Sequence, residues 1–135
     1  MDKKKVLLLI EDDPLMLRMY KKLFELEGYE ILLAEGGQEG IIMAIENKPA
    51  LILLDIMMPK MDGFEVLASL KGNNNTKDIP VVVLTNLAGQ QDAERALTMG
   101  AKKYIIKSEQ DPKEVAKMVK MTLSEIKKDT PGSES

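Results

Sequence analysis

Acidic residues follow two aliphatic segments of the chain. Asp55 comes directly after Leu51–Leu54, and the acidic run Glu11–Asp13 comes directly after Val6–Ile10. Uninterrupted aliphatic segments of this length are typical of strands buried on both faces of a parallel sheet. Ligands of open α/β sheets bind at the carboxyl ends of such strands. One carboxylate at a strand end often does no more than end the strand, but two acidic segments at equivalent points indicate a functional site.

A set of charged and hydroxyl side chains is expected at this edge of the sheet: Glu11, Asp12, Asp55, Thr85 and Lys107. At ~4 Å and an effective dielectric constant of about 20, each pair of like charges costs on the order of a few kcal/mol, so the carboxylates need a cation. Lys107 supplies part of that charge, and Mg²⁺, which binds carboxylate and phosphate oxygens, suits the rest. The set predicts a phosphoryl-accepting site. Asp55 attacks, Lys107 and the ion neutralise the phosphoryl oxygens, and Thr85 donates a hydrogen bond to one of them.

Hydrophobic periodicity and turn residues predict the elements that position these side chains. Pro14 fits the first turn of a helix that Asp13 caps, so Asp13 is interpreted as a cap rather than a metal ligand, and Gly28 fits the end of that helix. Strands are predicted at Val6–Ile10, Tyr29–Ala34, Leu51–Leu54, Val81–Leu84 and Lys103–Ile106. Helices are predicted from Pro14 to Leu26, around Ile41–Ile45, from Phe64 to Gly72, from Gln90 to Met99 and from Pro112 to Ile126.

The alternation of these strands and helices predicts an α/β fold, with a five-stranded parallel sheet covered by helices on both faces. Right-handed crossovers restrict the strand order and favour 2-1-3-4-5, the flavodoxin-like doubly wound order. In that order Glu11, Asp12 and Asp55 share one crevice. Thr85 and Lys107 then lie at the ends of the next two strands, so four of the five strands deliver a polar or charged residue to the same edge.

The composition bounds the size and the chemistry of the protein. With 135 residues, 44% hydrophobic and 30% charged, the chain fits one domain, expected over residues 1–128, with a disordered tail at 129–135. The absence of His and Cys excludes a Ser-His-Asp arrangement, a thiolate nucleophile and nearly every zinc site. A net charge of −3 argues against direct binding of nucleic acid or anionic membranes. No apolar run approaches the ~18 residues that span a bilayer, so the expected location is the cytoplasm.

These residues together resemble the response-regulator receiver domain family, and in particular its stand-alone, chemotaxis-regulator-like members. The resemblance is carried by four segments, which are Ile10–Asp13, Leu54–Gly63, Leu84–Thr85 and Tyr104–Lys107. It covers roughly residues 4–127, nearly the whole chain. The motifs are specific in combination, since each stands at the end of a different predicted strand.

The resemblance implies a phosphoacceptor and a metal site. Asp55 matches the family's phosphoacceptor, which receives its phosphoryl group from the phosphohistidine of a sensor kinase. Asp12, Asp55 and the backbone carbonyl of Met57 match the direct Mg²⁺ ligands, and Glu11 matches a ligand that acts through water. Mn²⁺ would also suit this set of oxygen donors.

The resemblance also implies roles in switching and in phosphoryl lifetime. Thr85 and Lys107 match the residues that bind the phosphoryl group, and Thr85 and Tyr104 match the pair that moves on activation. The readout surface would then be the face formed by the fourth helix, fifth strand and fifth helix. Met57 and Leu87 match the positions that flank the approach of the hydrolytic water, and because neither can orient a water we expect slow hydrolysis.

Two positions depart from the family pattern. Asn86 stands where the family usually has a small residue, next to the expected path of the incoming phosphoryl group. Ser108 stands where the family most often has a proline that follows a cis bond. A cis bond before a residue other than proline costs ~2.5–4 kcal/mol, so the sequence leaves the path of the loop after the fifth strand open.

Three functions are compatible with these residues. The favoured one is a phosphorylation-controlled protein-binding switch or phosphorelay module, monomeric or a phosphorylation-dependent dimer, which receives phosphate from a sensor histidine kinase or phosphotransfer protein. It catalyses only its own phosphorylation and slow dephosphorylation. The alternative is a Mg²⁺-dependent phosphohydrolase with an aspartyl-phosphate intermediate, but the position expected to hold its general acid is Met57. A binding domain without the chemistry is disfavoured by the intact Asp12, Asp55 and Lys107.

Overall fold

The computed structural model of the protein describes residues 4–129. Its strands are β1 Val6–Ile10, β2 Glu30–Ala34, β3 Leu51–Leu54, β4 Val81–Thr85 and β5 Lys103–Ile106. Its α-helices are α1 Pro14–Leu26, α2 Gly37–Asn47, α3 Gly63–Gly72, α4 Gln90–Thr98 and α5 Pro112–Asp129. The sheet has the order β2-β1-β3-β4-β5, and every pair of neighbouring strands is parallel. The predicted fold class and strand order are confirmed.

The register of the two central strands sets the position of the acidic residues. Ile10 at the end of β1 lies opposite Leu54 at the end of β3. The Asp55 N–H donates to the Ile10 carbonyl at 3.0 Å, so the ladder continues one residue past the end of β3. Glu11 is held in the same way on the other side of β1, where its N–H donates to the Ala34 carbonyl at 3.0 Å. The first acidic residues after β1 and β3 are therefore neighbours.

The sheet is buried on both faces, which explains why its central strands are aliphatic at every position. Leu51 and Leu53 of β3 pack in the layer that α1 and α5 cover. Ile52 and Leu54 pack in the opposite layer, with residues of α2, α3 and α4. All four side chains are fully buried. At roughly 1.5–3 kcal/mol for each buried aliphatic side chain, this packing holds the strands that carry the site.

Helix α1 begins and ends at the residues that the sequence predicts. The Asp13 carboxylate accepts a hydrogen bond from the Leu15 N–H at 2.9 Å, and Pro14 occupies the first turn. Asp13 is therefore a helix cap. Gly28 follows the helix with φ of +95°, a conformation that glycine adopts without a steric penalty.

Three details were not predicted. Helix α2 begins at Gly37, several residues before the predicted segment. A Cβ on Gly40 would lie 2.5 Å from the Ile10 side chain. The absence of a side chain at Gly40 therefore allows the helix to pack closely on β1. After β5, Lys107–Glu109 forms a short 3₁₀ helix, and the Lys107–Ser108 peptide bond is trans.

The predicted disordered tail, residues 129–135, lies outside the described residues except for Asp129, the last residue of α5. Within residues 4–129, no helix has both the length and the apolar character required to cross a membrane.

Candidate functional site

Three carboxylates meet at the carboxyl edge of the sheet. Oxygen atoms of Glu11, Asp12 and Asp55 all lie within 4.8 Å of one another. Glu11 is 2% exposed and Asp55 is 6% exposed, whereas Asp12 is half-buried. The predicted convergence of these acidic residues is confirmed.

Lys107 reaches this cluster from the end of β5. Its Nζ forms an ion pair with Glu11 Oε1 and a second one with Asp55 Oδ2, at 3.2 Å for the latter. The lysine side chain is itself only 10% exposed, so the two bonds lie away from bulk water. Three carboxylates against one ammonium leave the cluster with an excess of two negative charges, which is the charge that a divalent cation neutralises.

Burial and charge act in opposite directions on Lys107. Burial alone would lower its pKa, but the hydrogen bond to Glu11 and the charges of Asp55 and Glu11 outweigh burial and raise the pKa above the ordinary value. The ammonium group is therefore protonated over the whole neutral range. It can serve as a fixed positive charge beside Asp55.

Glu11 has a raised pKa although it pairs with the lysine. Burial is the largest cause and the charge of Asp55 adds to it, while the hydrogen bonds from Lys107 and from the Asp13 N–H oppose them. The lysine thus compensates only part of the cost of placing these carboxylates together. A bound metal ion could compensate the part of this cost that the lysine leaves.

The loop after β3 fixes the orientation of Asp55. The Met57 N–H donates to Asp55 Oδ1 at 3.0 Å, which leaves Oδ2 to Lys107. The loop then closes on the first residue of α3, where the Gly63 N–H donates to the Ile56 carbonyl at 2.9 Å. A Cβ on Gly63 would lie 2.6 Å from the Asp55 carbonyl oxygen. Glycine is thus required for this close approach of α3 to the loop.

A backbone segment joins Thr85 to Tyr104, and the sequence alone did not predict its role. The buried Thr85 hydroxyl accepts a hydrogen bond from the Leu87 N–H at 3.3 Å, and the Tyr104 hydroxyl donates to the Leu87 carbonyl at 2.6 Å. Burial and the charges of Asp92 and Asp55 raise the pKa of Tyr104, so its phenol keeps the proton that makes this bond. The Thr85 hydroxyl acts here as an acceptor, and its own proton is available for a ligand.

A concave surface opens beside the loop that follows Asp55. It is lined by Ile56, Met57, Met58, Asp62, Phe64, Leu87 and Arg95. Met57 is 55% exposed, Leu87 is half-buried, and the Arg95 guanidinium lies 4.0 Å from the centre of the Phe64 ring. Met57 and Leu87, the two residues that the family resemblance places beside the path of the hydrolytic water, thus line one surface. Asn86, next to Leu87, is exposed.

The fold and this acidic site place the protein among the doubly wound α/β domains that carry a carboxylate cluster at the switch point of the sheet. The chain belongs to the response regulator receiver domain family, whose model matches residues 7–120. Receiver domains of this family are signalling modules of two-component systems rather than classical enzymes.

Individual relatives agree with this assignment. The chain is 36% identical over 103 residues to the polar-differentiation response regulator DivK of Brucella anthropi, a match that covers 76% of this chain and 84% of that protein. It is 39% identical over 101 residues to the DNA-binding dual master transcriptional regulator RpaA of Synechocystis, a match that covers 75% of this chain but 42% of RpaA. A CheY-like receiver domain from Methanospirillum hungatei has a TM-score of 0.85 and 30% identity, over 95% of this chain and 100% of that one.

Proposed function

We propose that the chain accepts a phosphoryl group on Asp55 from a sensor histidine kinase or a phosphotransfer protein, and that it acts as a switch or a relay in two-component signalling. The observation that carries this proposal is the position of Lys107, whose ammonium group bridges Asp55 and Glu11 within the acidic cluster. A buried lysine paired to the nucleophile places a positive charge where phosphoryl transfer develops negative charge.

The donor atoms of the cluster fit Mg²⁺, with Mn²⁺ as a substitute. Asp12, Asp55 and the Met57 carbonyl would hold the ion directly and Glu11 would hold it through water. These are hard oxygen donors, and the excess negative charge matches a divalent cation. When bound, the ion supplies positive charge for the oxygens of the phosphoryl group.

The residues of the chain carry the transfer itself. An oxygen of the Asp55 carboxylate attacks phosphorus, and the bond between phosphorus and the donor nitrogen breaks, with its electron pair leaving on the imidazole. Lys107 stays beside the transferred oxygens, and the Thr85 hydroxyl donates its proton to one of them. The chain thus catalyses its own phosphorylation and, with Met57 and Leu87 beside the phosphorus, only slow dephosphorylation.

Output follows from the link between Thr85 and Tyr104. A hydrogen bond from Thr85 to the phosphoryl group would alter its bond with the Leu87 N–H, and Leu87 is the residue that holds the Tyr104 hydroxyl. The altered segment borders α4 and β5, so the face formed by α4, β5 and α5 is the proposed surface for a downstream protein or for a phosphorylation-dependent dimer.

Incubation with an acyl phosphate and Mg²⁺ tests the proposal. We expect one stoichiometric, base-labile adduct by intact-protein mass spectrometry, and none in Asp55→Asn. Rapid release of many equivalents of phosphate, with no adduct accumulating on Asp55, would instead favour the phosphohydrolase. An unmodified wild-type chain after incubation with both the acyl phosphate and a phosphorylated histidine kinase would contradict both chemistries and favour a binding domain.

A further inference from the structure

The sulfur chemistry of this chain is restricted to methionine, since it has ten Met and no Cys. Peroxides oxidise thiolates and exposed thioethers, and burial protects a methionine. Among the described residues, two methionines are far more exposed than the others. Met57 is 55% exposed and Met121 is 57% exposed, followed by Met19 at 36%. Among the methionines that the structure describes, an oxidant should therefore react first at these two.

Met57 differs from Met121 in what it borders. Its N–H donates to the Asp55 carboxylate, and together with Leu87 it lines the concave surface next to the loop that follows Asp55. Met121 lies in α5, which starts at the same edge of the sheet, but nine residues further on and thus about 14 Å along the helix axis. The two methionines are almost equally exposed, but Met57 is next to the site and Met121 is further from it.

We propose that Met57 is an oxidation site that controls how long Asp55 stays phosphorylated. The inference rests on the proposed phosphorylation of Asp55. A peroxide transfers one oxygen to the thioether sulfur: the O–O bond breaks, an S–O bond forms, and the second oxygen leaves as water. Sulfur is oxidised by two electrons and the peroxide is reduced by two.

The sulfoxide would change the polarity of the surface next to the proposed phosphoryl group. A thioether is apolar and accepts hydrogen bonds only weakly, whereas a sulfoxide is polar and its oxygen is a strong acceptor. A water that Met57 excludes can then be hydrogen-bonded next to the phosphoryl group, where hydrolysis requires it. Oxidation would shorten the signal, and a methionine sulfoxide reductase would restore it.

The experiment compares three proteins: the wild type, Met57→Leu and Met121→Leu. Each is treated with hydrogen peroxide or left untreated, phosphorylated with an acyl phosphate and Mg²⁺, and freed of the donor. Decay of the adduct is followed by mass spectrometry, and peptide mapping gives the oxidised methionines. The quantity compared is the ratio of treated to untreated decay rates within each protein, so differences between the untreated proteins do not enter. Thermal unfolding before and after treatment verifies that each sample is folded.

We expect treatment to speed decay by about 2- to 10-fold in the wild type and in Met121→Leu, the range that one added hydrogen bond produces in a rate. In Met57→Leu the ratio should stay near one, and sulfoxide reductase should reverse the change in the wild type. Three results would overturn the inference: Met57 oxidised with an unchanged decay rate, Met57 unmodified when Met121 is fully oxidised, or equal acceleration in Met57→Leu. An untreated wild type that forms no adduct with either the acyl phosphate or a phosphorylated histidine kinase contradicts the proposed function itself, and the inference with it.

Discussion

Lys107 compensates for two buried carboxylates with a single positive charge. Its bonds to Glu11 and Asp55 hold the three side chains together across the carboxyl edge of the sheet. With Asp12 beside them, the metal-free cluster keeps an excess of negative charge. We therefore expect a carboxylate of this cluster to lower the stability of the metal-free protein, as is common at functional sites.

Asp55→Asn should therefore raise the unfolding midpoint in the presence of a chelator, because it removes a negative charge from the cluster while the pair between Glu11 and Lys107 persists. Mg²⁺ should raise the midpoint of the wild type more than that of the variant. Thermal unfolding with EDTA and with Mg²⁺ gives both numbers. A lower midpoint for Asp55→Asn in EDTA would show that Lys107 already compensates the cluster fully.

The raised pKa of Glu11 predicts a particular dependence of stability on pH. The folded state holds the Glu11 proton to a higher pH than the unfolded state, whose pKa is near 4.5. Stability from this group is therefore present at low pH and is lost as the pH rises from about 4.5 through the raised pKa. Glu11→Gln has no carboxylate to ionise at this position. The free energy of unfolding of the variant should therefore rise relative to that of the wild type between pH 4.5 and the raised pKa of Glu11.

Urea unfolding at several pH values between 4 and 7, in chelator, measures that difference. The same comparison in an Asp55→Asn background is the control. The Asp55 charge contributes to the raised pKa of Glu11. In the Asp55→Asn background the pKa of Glu11 should therefore be raised less, and the pH range over which the two proteins differ should be narrower. A difference between Glu11→Gln and wild type that does not change with pH would contradict the assignment.

Met57 and Leu87 should set the lifetime of the phosphoryl group. Both line the concave surface next to the loop that follows Asp55, and neither side chain can orient a water. Replacing Met57 by Asn and Leu87 by Glu should speed phosphate loss by about 10-fold, which corresponds to ~1.4 kcal/mol of barrier. Decay of the isolated phosphoprotein in Mg²⁺ gives the rate. Loss within seconds from the wild type, or no acceleration in the double variant, would be the contrary result.

At the scale of elements, the position of Asp55 depends on how closely α3 approaches the loop after β3. Gly63→Ala would place a methyl group 2.6 Å from the Asp55 carbonyl oxygen, so the loop must shift. We expect a loss of ~1–3 kcal/mol in unfolding free energy, together with slower phosphorylation.

Gly72→Ala is the matched control for Gly63→Ala, because Gly72 ends the same helix and a Cβ there meets nothing within 4 Å. It should leave phosphorylation unchanged and raise stability by up to ~1 kcal/mol through helix propensity. Denaturant unfolding and adduct formation compare the two variants. Equal effects from both would mean that the close approach at Gly63 has no role in placing Asp55.

The elements were predictable wherever a local signal agreed with the tertiary packing. Aliphatic runs gave the central strands, and Asp13 with Pro14 gave the start of α1, because the same residues satisfy the helix end in the structure. The start of α2 was not predictable, since Gly37 is a poor helix former and its place depends on packing with Val66 and Met61, distant in sequence. The 3₁₀ helix after β5 was not predicted from the sequence.

The site was predictable as a set of residues, because each member stands at a strand end and the strand order brings those ends together. The partners within the set were not. Nothing in the sequence indicated that Lys107 pairs with Glu11 as well as with Asp55, or that Leu87 joins Thr85 to Tyr104 through its backbone. Backbone groups are the same at every position, so a role of this kind leaves no residue type to detect.

At the scale of the whole molecule, the hydrogen bonds of Leu87 to Thr85 and Tyr104 predict which residues change their surroundings on phosphorylation. Beryllofluoride with Mg²⁺, which mimics the phosphoryl group on an aspartate, should shift amide resonances mostly between residues 85 and 108. Leu87 should be prominent among them, because its N–H bonds the Thr85 hydroxyl. Tyr104→Phe should keep the shifts near Thr85 and weaken those in α4 and β5. Shifts confined to α1 would contradict this route.

The pair between Glu11 and Lys107 also has a consequence during synthesis. The two residues are 96 positions apart in the chain. At about 5–20 residues per second, a ribosome needs roughly 5–20 s to proceed from one to the other. Over that interval the nascent chain carries the acids without the lysine, and its sheet lacks β5. On the proposed function, phosphorylation would then wait until Lys107 has been synthesised, so a kinase would find no substrate in shorter nascent chains.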